Sequence, residues 1–183
     1  MKKLCIVFPG RKYSCDRSLL YFPSRLLEDR GYEMIYLHYN KKRDQEDNST
    51  VKEAYNKAKK YTAEKLADVD YSKYNKIVFI SKSIGTVLAG EITKELPQDK
   101  VFNIFLTPID ETLPYIRKED LIICGDRDQY LKDAKNKLSK YSYAYFCPYS
   151  SHSLESKDSS ELTTKTINDV ISIVDVYCHS INA

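Results

Sequence analysis

Ser83 sits in the run Ser81-Lys82-Ser83-Ile84-Gly85, directly after the apolar stretch Ile77-Val78-Phe79-Ile80 and before Thr86-Val87-Leu88-Ala89-Gly90-Glu91. An apolar run that stops at small-x-Ser-x-Gly and restarts with helical character describes a strand, a sharp turn and a helix. Such a turn lifts a serine to a strained, exposed position at the top of a sheet, above a helix N-terminus. A serine hydroxyl is a weak nucleophile until an imidazole accepts its proton, and the imidazole needs a carboxylate to hold its tautomer. Both types follow: Gly125-Asp126-Arg127-Asp128 after the apolar Leu121–Cys124, and His152-Ser153-Leu154-Glu155 after Tyr143–Cys147. Of the three histidines, His38 closes an early apolar run and His179 lies near the C-terminus, so His152 is the candidate base.

Each residue has a plainer alternative. Ser83 is also a candidate helix N-cap, a common role for serine before a helix. Asp126 competes with Asp128, which is favoured by its offset from Gly125. Lys82 beside Ser83 suggests a Ser–Lys dyad, but adjacent residues on such a turn point apart. No pair of histidines has a metal-ligand spacing with cysteine or carboxylate. Gly10 stands alone after the first apolar run, without the further glycines or Gly-Lys-Ser/Thr of a phosphate-cradling loop. No metal or cofactor is therefore expected.

The elements that must position these residues are short apolar runs at Leu4–Phe8, Glu33–His38, Lys76–Ile80, Val101–Leu106, Leu121–Cys124 and Tyr143–Cys147. Longer helical patterns separate them, which is the mark of a mostly parallel sheet with crossover helices. Thr50 and Glu53 form a capping box for a helix whose expected buried stripe is Val51, Ala54, Tyr55, Ala58, Tyr61 and Leu66. The segment Arg17–Arg30 stops at Gly31, with Pro23 marking either a kink or a helix start. Near the C-terminus Ile167, Val170, Ile171, Val174, Tyr177 and Cys178 share one helix face. Gly10, Gly85 and Gly125 each fall near a strand's carboxyl end, the rim where open parallel sheets bind ligands.

In its order of Ser, acid and His on loops after strands, the chain resembles the α/β-hydrolase superfamily, along nearly its whole length. The resemblance implies a three-layer α/β/α sandwich with strand order 2-1-3-4-5-6 and a single domain spanning residues 1–183. Carried onto this chain, it makes Ser83 the nucleophile, His152 the general base and Asp128 the acid. It implies an oxyanion hole from the backbone amide of Ile84 and one from the first loop, with Arg11 first and Lys12 or Tyr13 as alternatives. Gly10, Tyr13, Lys82 and Pro108 become substrate-binding candidates, with the stretch Thr107–Glu111 and Tyr39 as further walls. The family's lid commonly follows the strand matching Val101–Leu106; here only Thr107 to Asp120 intervenes, so a lidless site is expected. The implied substrate is a small to medium soluble acyl ester or thioester. A non-catalytic binding protein of the same fold and a flavodoxin-like nucleotide or flavin module are the alternatives.

Bulk properties narrow the class. With 29 Lys+Arg against 26 Asp+Glu, a net charge of +3 is too small to argue for nucleic acid. No run approaches transmembrane length, so no membrane partner is expected. The apolar start Leu4–Phe8 is cut short by Pro9 and Gly10, too early for an export signal. Five cysteines without paired spacing then point to a reduced, cytoplasmic protein, in which the Asn48-Ser49-Thr50 sequon carries no glycan. Nothing in the sequence sets an oligomeric state. Arg11, Lys12, Lys82 and Arg127 fall on the expected rim, with Lys41-Lys42-Arg43 beside it, which raises a preference for anionic substrates.

Overall fold

The four inner apolar runs are continuous because the strands they form are covered on both faces. In β1 (Lys3–Phe8) the alternating residues Leu4, Ile6 and Phe8 enter one core cluster, while Cys5 and Val7 enter the other. The computed structural model describes residues 2–39, 50–156 and 158–181. In it, β1, β2 (Glu33–Tyr36), β3 (Lys76–Lys82), β4 (Val101–Leu106), β5 (Leu121–Gly125) and β6 (Ala144–Cys147) form one sheet in the order β2-β1-β3-β4-β5-β6. Every neighbouring pair is parallel. β2 closes at Tyr36 rather than at His38, and β6 opens at Ala144.

Helices cover the two faces. Leu19, Leu20 and Leu27 of α1 (Ser18–Asp29) pack with Val170, Val174 and Tyr177 of α5 (Ser160–Ser180) on the Cys5/Val7 face. The opposite face takes α2 (Val51–Leu66), α3 (Ile84–Lys94) and the short α4 (Ala134–Leu138). Pro23 lies inside α1, which begins before it, so the alternative of a helix start at Pro23 does not hold. The α2 capping box forms as its residue types require: Glu53 N–H donates to Thr50 Oγ1 at 3.2 Å, and Thr50 N–H to Glu53 Oε2 at 2.8 Å. Its buried stripe runs through Ala54, Ala58, Thr62 and Leu66, while Tyr55 and Tyr61 flank it and Val51 is exposed. Lys41, Lys42, Arg43, Asn48 and Ser49 lie outside the described residues.

The chain steps from β1 to β2 in one direction, then crosses to β3 on the other side of β1. Loops after β1 and β3 therefore part at this switch point, leaving a crevice at the carboxyl ends of the strands. The connection from β4 to β5 borders that crevice with Ile109, Asp110 and Glu111. Its single 3-10 turn, Asp110–Tyr115, packs on α3: Thr112 Oγ1 lies 2.6 Å from Thr86 Oγ1. A Cβ on Gly90 would come within 2.4 Å of Tyr115 Cβ, so only glycine lets the two elements meet this closely. The far end is tied by fully buried Asp120, whose carboxylate accepts from the backbone and side-chain amides of Asn103 and pairs with Arg117 at 2.7 Å.

Candidate active site

Ser83 joins β3 to α3 with φ 54° and ψ −124°, a conformation that costs a non-glycine residue about 1–3 kcal/mol. Two neighbours hold it there. Its N–H donates to the Leu106 carbonyl at the end of β4, and its carbonyl accepts from Thr86 N–H at 2.9 Å. Gly85 must be glycine, because a Cβ would lie 2.6 Å from the carbonyl oxygens of both Phe8 and Pro9. Ser81, at a position where such turns usually have glycine, is fully buried and donates its hydroxyl to the Ile104 carbonyl. Ser83 makes no N-cap bond with its side chain, so the capping alternative is removed.

The Ser83 hydroxyl lies 2.9 Å from His152 Nε2 instead, and His152 Nδ1 lies 2.7 Å from Asp128 Oδ2. The Asp128 carboxylate is fully buried and its Oδ1 accepts Tyr130 N–H at 2.9 Å. With a carboxylate on Nδ1, the ring proton belongs there, which leaves Nε2 to accept from Ser83. Asp126 is turned elsewhere: its Oδ1 accepts Ser150 N–H at 3.2 Å, bracing the loop that carries His152. That loop is pinned at its far end by Leu154, fully buried despite φ 58°. The Tyr130 ring packs against His152 with centroids 4.6 Å apart.

Lys82, next to Ser83, borders the same cavity but gives its ammonium to protein groups. Its ammonium donates to Thr107 Oγ1 and to the His152 carbonyl, each at 3.0 Å, and lies 4.7 Å from the Tyr13 ring centroid. Burial pushes its pKa down to about 8, against the pull of the Asp128 and Glu155 carboxylates. The first loop comes up from the other side. A Cβ on Gly10 would lie 3.3 Å from Ser83 Cβ, so Gly10 brings the following residues against the serine. Tyr13 N–H closes the turn onto the Gly10 carbonyl, which removes the Tyr13 amide from the candidate oxyanion donors. Ile84 opens α3, and the first N–H groups of a helix lack intrahelical acceptors.

No protein-family model matches the chain, and no curated protein matches it. Solved structures do. An α/β serine hydrolase homologue from Coxiella burnetii is 12% identical, with a TM-score of 0.64 over 96% of this chain and 84% of that one. A serine hydrolase without lid from Xanthomonas campestris is 14% identical, with a TM-score of 0.62 over 97% and 81%. Est1E from Butyrivibrio proteoclasticus, solved with ferulic acid bound, is 14% identical, with a TM-score of 0.60 over 97% and 88%. This is the α/β-hydrolase fold, and among the described residues no lid is inserted between β4 and β5.

In an α/β-hydrolase fold the strand–turn–helix after β3 raises a side chain to the sheet's carboxyl edge, and here that side chain is Ser83. It opens on a cavity of about 940 Å³ that also contacts His152, Ile84, Gly10, Arg11 and Tyr13. Two sequence expectations for its walls change. Pro108 is buried and does not line the cavity; the positive φ of Thr107 (45°) turns the chain so that Ile109, Asp110 and Glu111 do. Tyr39 packs edge-on against Tyr61, away from the cavity. Tyr130 and Tyr149 line the cavity without having been singled out from sequence, and so does Val51, which was expected in the buried stripe of α2. An aromatic residue two positions past the acid was the one available signal for Tyr130.

The expected basic rim is mixed. Arg11, Lys12 and Arg127 line the cavity, but so do Asp110, Glu111 and Glu155. Arg127 pairs with Asp158 at 2.9 Å, Asp110 pairs with Lys137 at 2.6 Å, and Lys82, which also lines the cavity, donates its ammonium to Thr107 and the His152 carbonyl. Among the described residues no group of His, Cys, Asp and Glu could hold a metal ion, and no helix is long and apolar enough to cross a membrane.

Proposed function

We propose that the protein is a serine hydrolase that cleaves carboxylic ester or thioester bonds of small to medium soluble acyl groups. The observation that carries this reading is the hydrogen-bonded line from Ser83 Oγ through His152 to Asp128, built on a strained turn facing a cavity. Ser83 Oγ attacks the acyl carbonyl as His152 Nε2 takes its proton. Asp128 keeps the imidazole in the accepting tautomer and stabilises the imidazolium. Negative charge on the carbonyl oxygen is met by the amides of Ile84 and Arg11, each such donor being worth about 10²–10³ in rate. His152 returns the proton to the leaving alcohol or thiol, and the same base then activates the water that releases the acyl group from Ser83.

The open cavity supports the substrate class. The β4–β5 connection supplies one wall through Ile109, Asp110 and Glu111 and otherwise packs on α3, with no inserted lid to shelter a long acyl chain. Gly10 and Tyr13 border the serine on one side and Ile109 on the other, in place of Pro108. The Lys82 ammonium is spent on protein acceptors rather than on substrate. The reading puts the protein in the cytoplasm, where its five buried free cysteines stay reduced. A panel of short-chain to medium-chain acyl esters and thioesters, run on wild type and Ser83→Ala, tests it: turnover should fall off with chain length and vanish in the variant. Equal turnover in the two proteins would contradict it.

A further inference from the structure

A lysine with its ammonium inside the protein is costly, and this one lies beside Ser83 and against the His152 backbone, with no ion pair in direct contact among the described residues. Resting on the hydrolase reading, we infer that Lys82 is a positioning residue for the reaction, its ammonium holding the His152 loop at the distance from which the imidazole can serve Ser83. Its two acceptors and its aromatic neighbour belong to separate loops: Thr107 follows β4, His152 follows β6 and Tyr13 follows β1. Lys82 itself is the last residue of β3, immediately before Ser83. One side chain therefore joins the serine's own turn to the loops around it. The bond to the His152 carbonyl matters most, because it fixes the backbone that carries the imidazole. A displacement of about 1 Å between nucleophile and base can cost on the order of 10²-fold in rate.

The ammonium's donors are taken by Thr107, the His152 carbonyl and the Tyr13 ring face, so it acts through His152 rather than on substrate. The charged and titratable groups facing it are Asp128 from the turn after β5, Glu155 from the His152 loop, Arg17 ahead of α1 and Tyr13. The carboxylates hold the proton on Lys82 and burial works to expel it; the balance falls near pH 8. Bonds from a charged donor are roughly twice as strong as those from a neutral one, so the tether loosens when the proton leaves.

Second-order labelling of Ser83 by a fluorophosphonate, followed from pH 6.5 to 9.5 in wild type and Lys82→Met together with melting temperature, tests the assignment. The methionine variant should be labelled at least tenfold more slowly at pH 7 while melting no more than about 5 °C below wild type, because it removes a buried charge as well as a tether. Wild-type labelling should decline several-fold above pH 8, and Lys82→Met should lack that decline. A variant that labels at the wild-type rate, that keeps the alkaline decline, or that fails to fold would overturn the assignment. Wild type that is not labelled at any pH would instead overturn the hydrolase reading itself.

Discussion

Gly125 ends β5 beneath the His152 loop so closely that a Cβ there would lie 2.1 Å from the Ser150 carbonyl oxygen and 2.5 Å from that of Ser151. The acid-bearing turn and the histidine-bearing loop are thus brought together by the absence of one side chain. Arg127 N–H donates to the Ser150 carbonyl, and Asp126 N–H to the Cys147 carbonyl, lacing the same two segments. Gly125→Ala should push the His152 loop off Asp128. Overpacking of this kind costs about 1–3 kcal/mol, and the obstacle here is backbone, which cannot rotate away. Urea unfolding should register that loss, and ester turnover should fall by more than the unfolded fraction accounts for.

Backbone strain at Ser83 gives a second expectation. Ser83→Ala and Ser83→Gly both remove the hydroxyl and should both abolish turnover, by on the order of a thousandfold or more. Only glycine accepts φ 54° without penalty. Ser83→Gly should therefore be more stable than Ser83→Ala by about 1 kcal/mol in urea unfolding. Equal stabilities would mean that the turn stores no strain.

The two aspartates of the 125–128 turn should separate cleanly. Asp128→Asn leaves the shape intact but presents the wrong partner to His152 Nδ1, and turnover should fall by on the order of 10⁴. Asp126→Asn can still accept from Ser150 N–H, so its turnover should stay within a few-fold of wild type. Steady-state kinetics on one good ester decides between them.

Lys82 makes stability depend on pH in a defined sense. Its pKa falls from 10.5 to about 8 on folding, so between those values the unfolded chain holds a proton that the native protein does not. Stability from this group is lowest below pH 8 and rises up to about pH 10.5. At about 1.4 kcal/mol per pH unit the full rise is on the order of 3 kcal/mol. The buried Cys5 and Tyr177, raised by burial, act in the opposite sense in this range. The measurement is therefore the difference in unfolding free energy between wild type and Lys82→Met, which should move in favour of wild type from pH 8 to pH 10.

How much of this was legible in the sequence follows from the physics of each element. The inner strands β1, β3, β4 and β5, covered on both faces, leave unbroken apolar runs, and all six runs form strands; their ends shift by one or two residues, as where β2 closes at Tyr36 rather than His38 and β3 runs on through Ser81 and Lys82. Ser83, with Asp128 and His152 behind it, was readable because the strained turn admits only small residues at Ser81 and Gly85, and the acid and base follow strand ends. The inward turn of Lys82 was not, since a lysine ordinarily reads as surface and its acceptors lie 25 and 70 residues away. Pro108 was misplaced because the positive φ of Thr107 rotates the chain after β4, and threonine does not advertise that conformation. The α2 stripe shifted from Val51 to Thr62 because small residues and a threonine, not the larger tyrosines, allow α2 to approach the sheet. The five-residue α4 is preceded by Asp133 in a left-handed conformation and is too short to show periodicity.

Every proposed step at this site depends on Ser83 being a nucleophile activated by His152. The most direct test of this activation is mass spectrometry of the folded protein after treatment with a fluorophosphonate. One adduct should form, on Ser83, absent from Ser83→Ala and orders of magnitude slower to form in His152→Ala. No adduct on the folded protein, or an adduct on another residue, would contradict it.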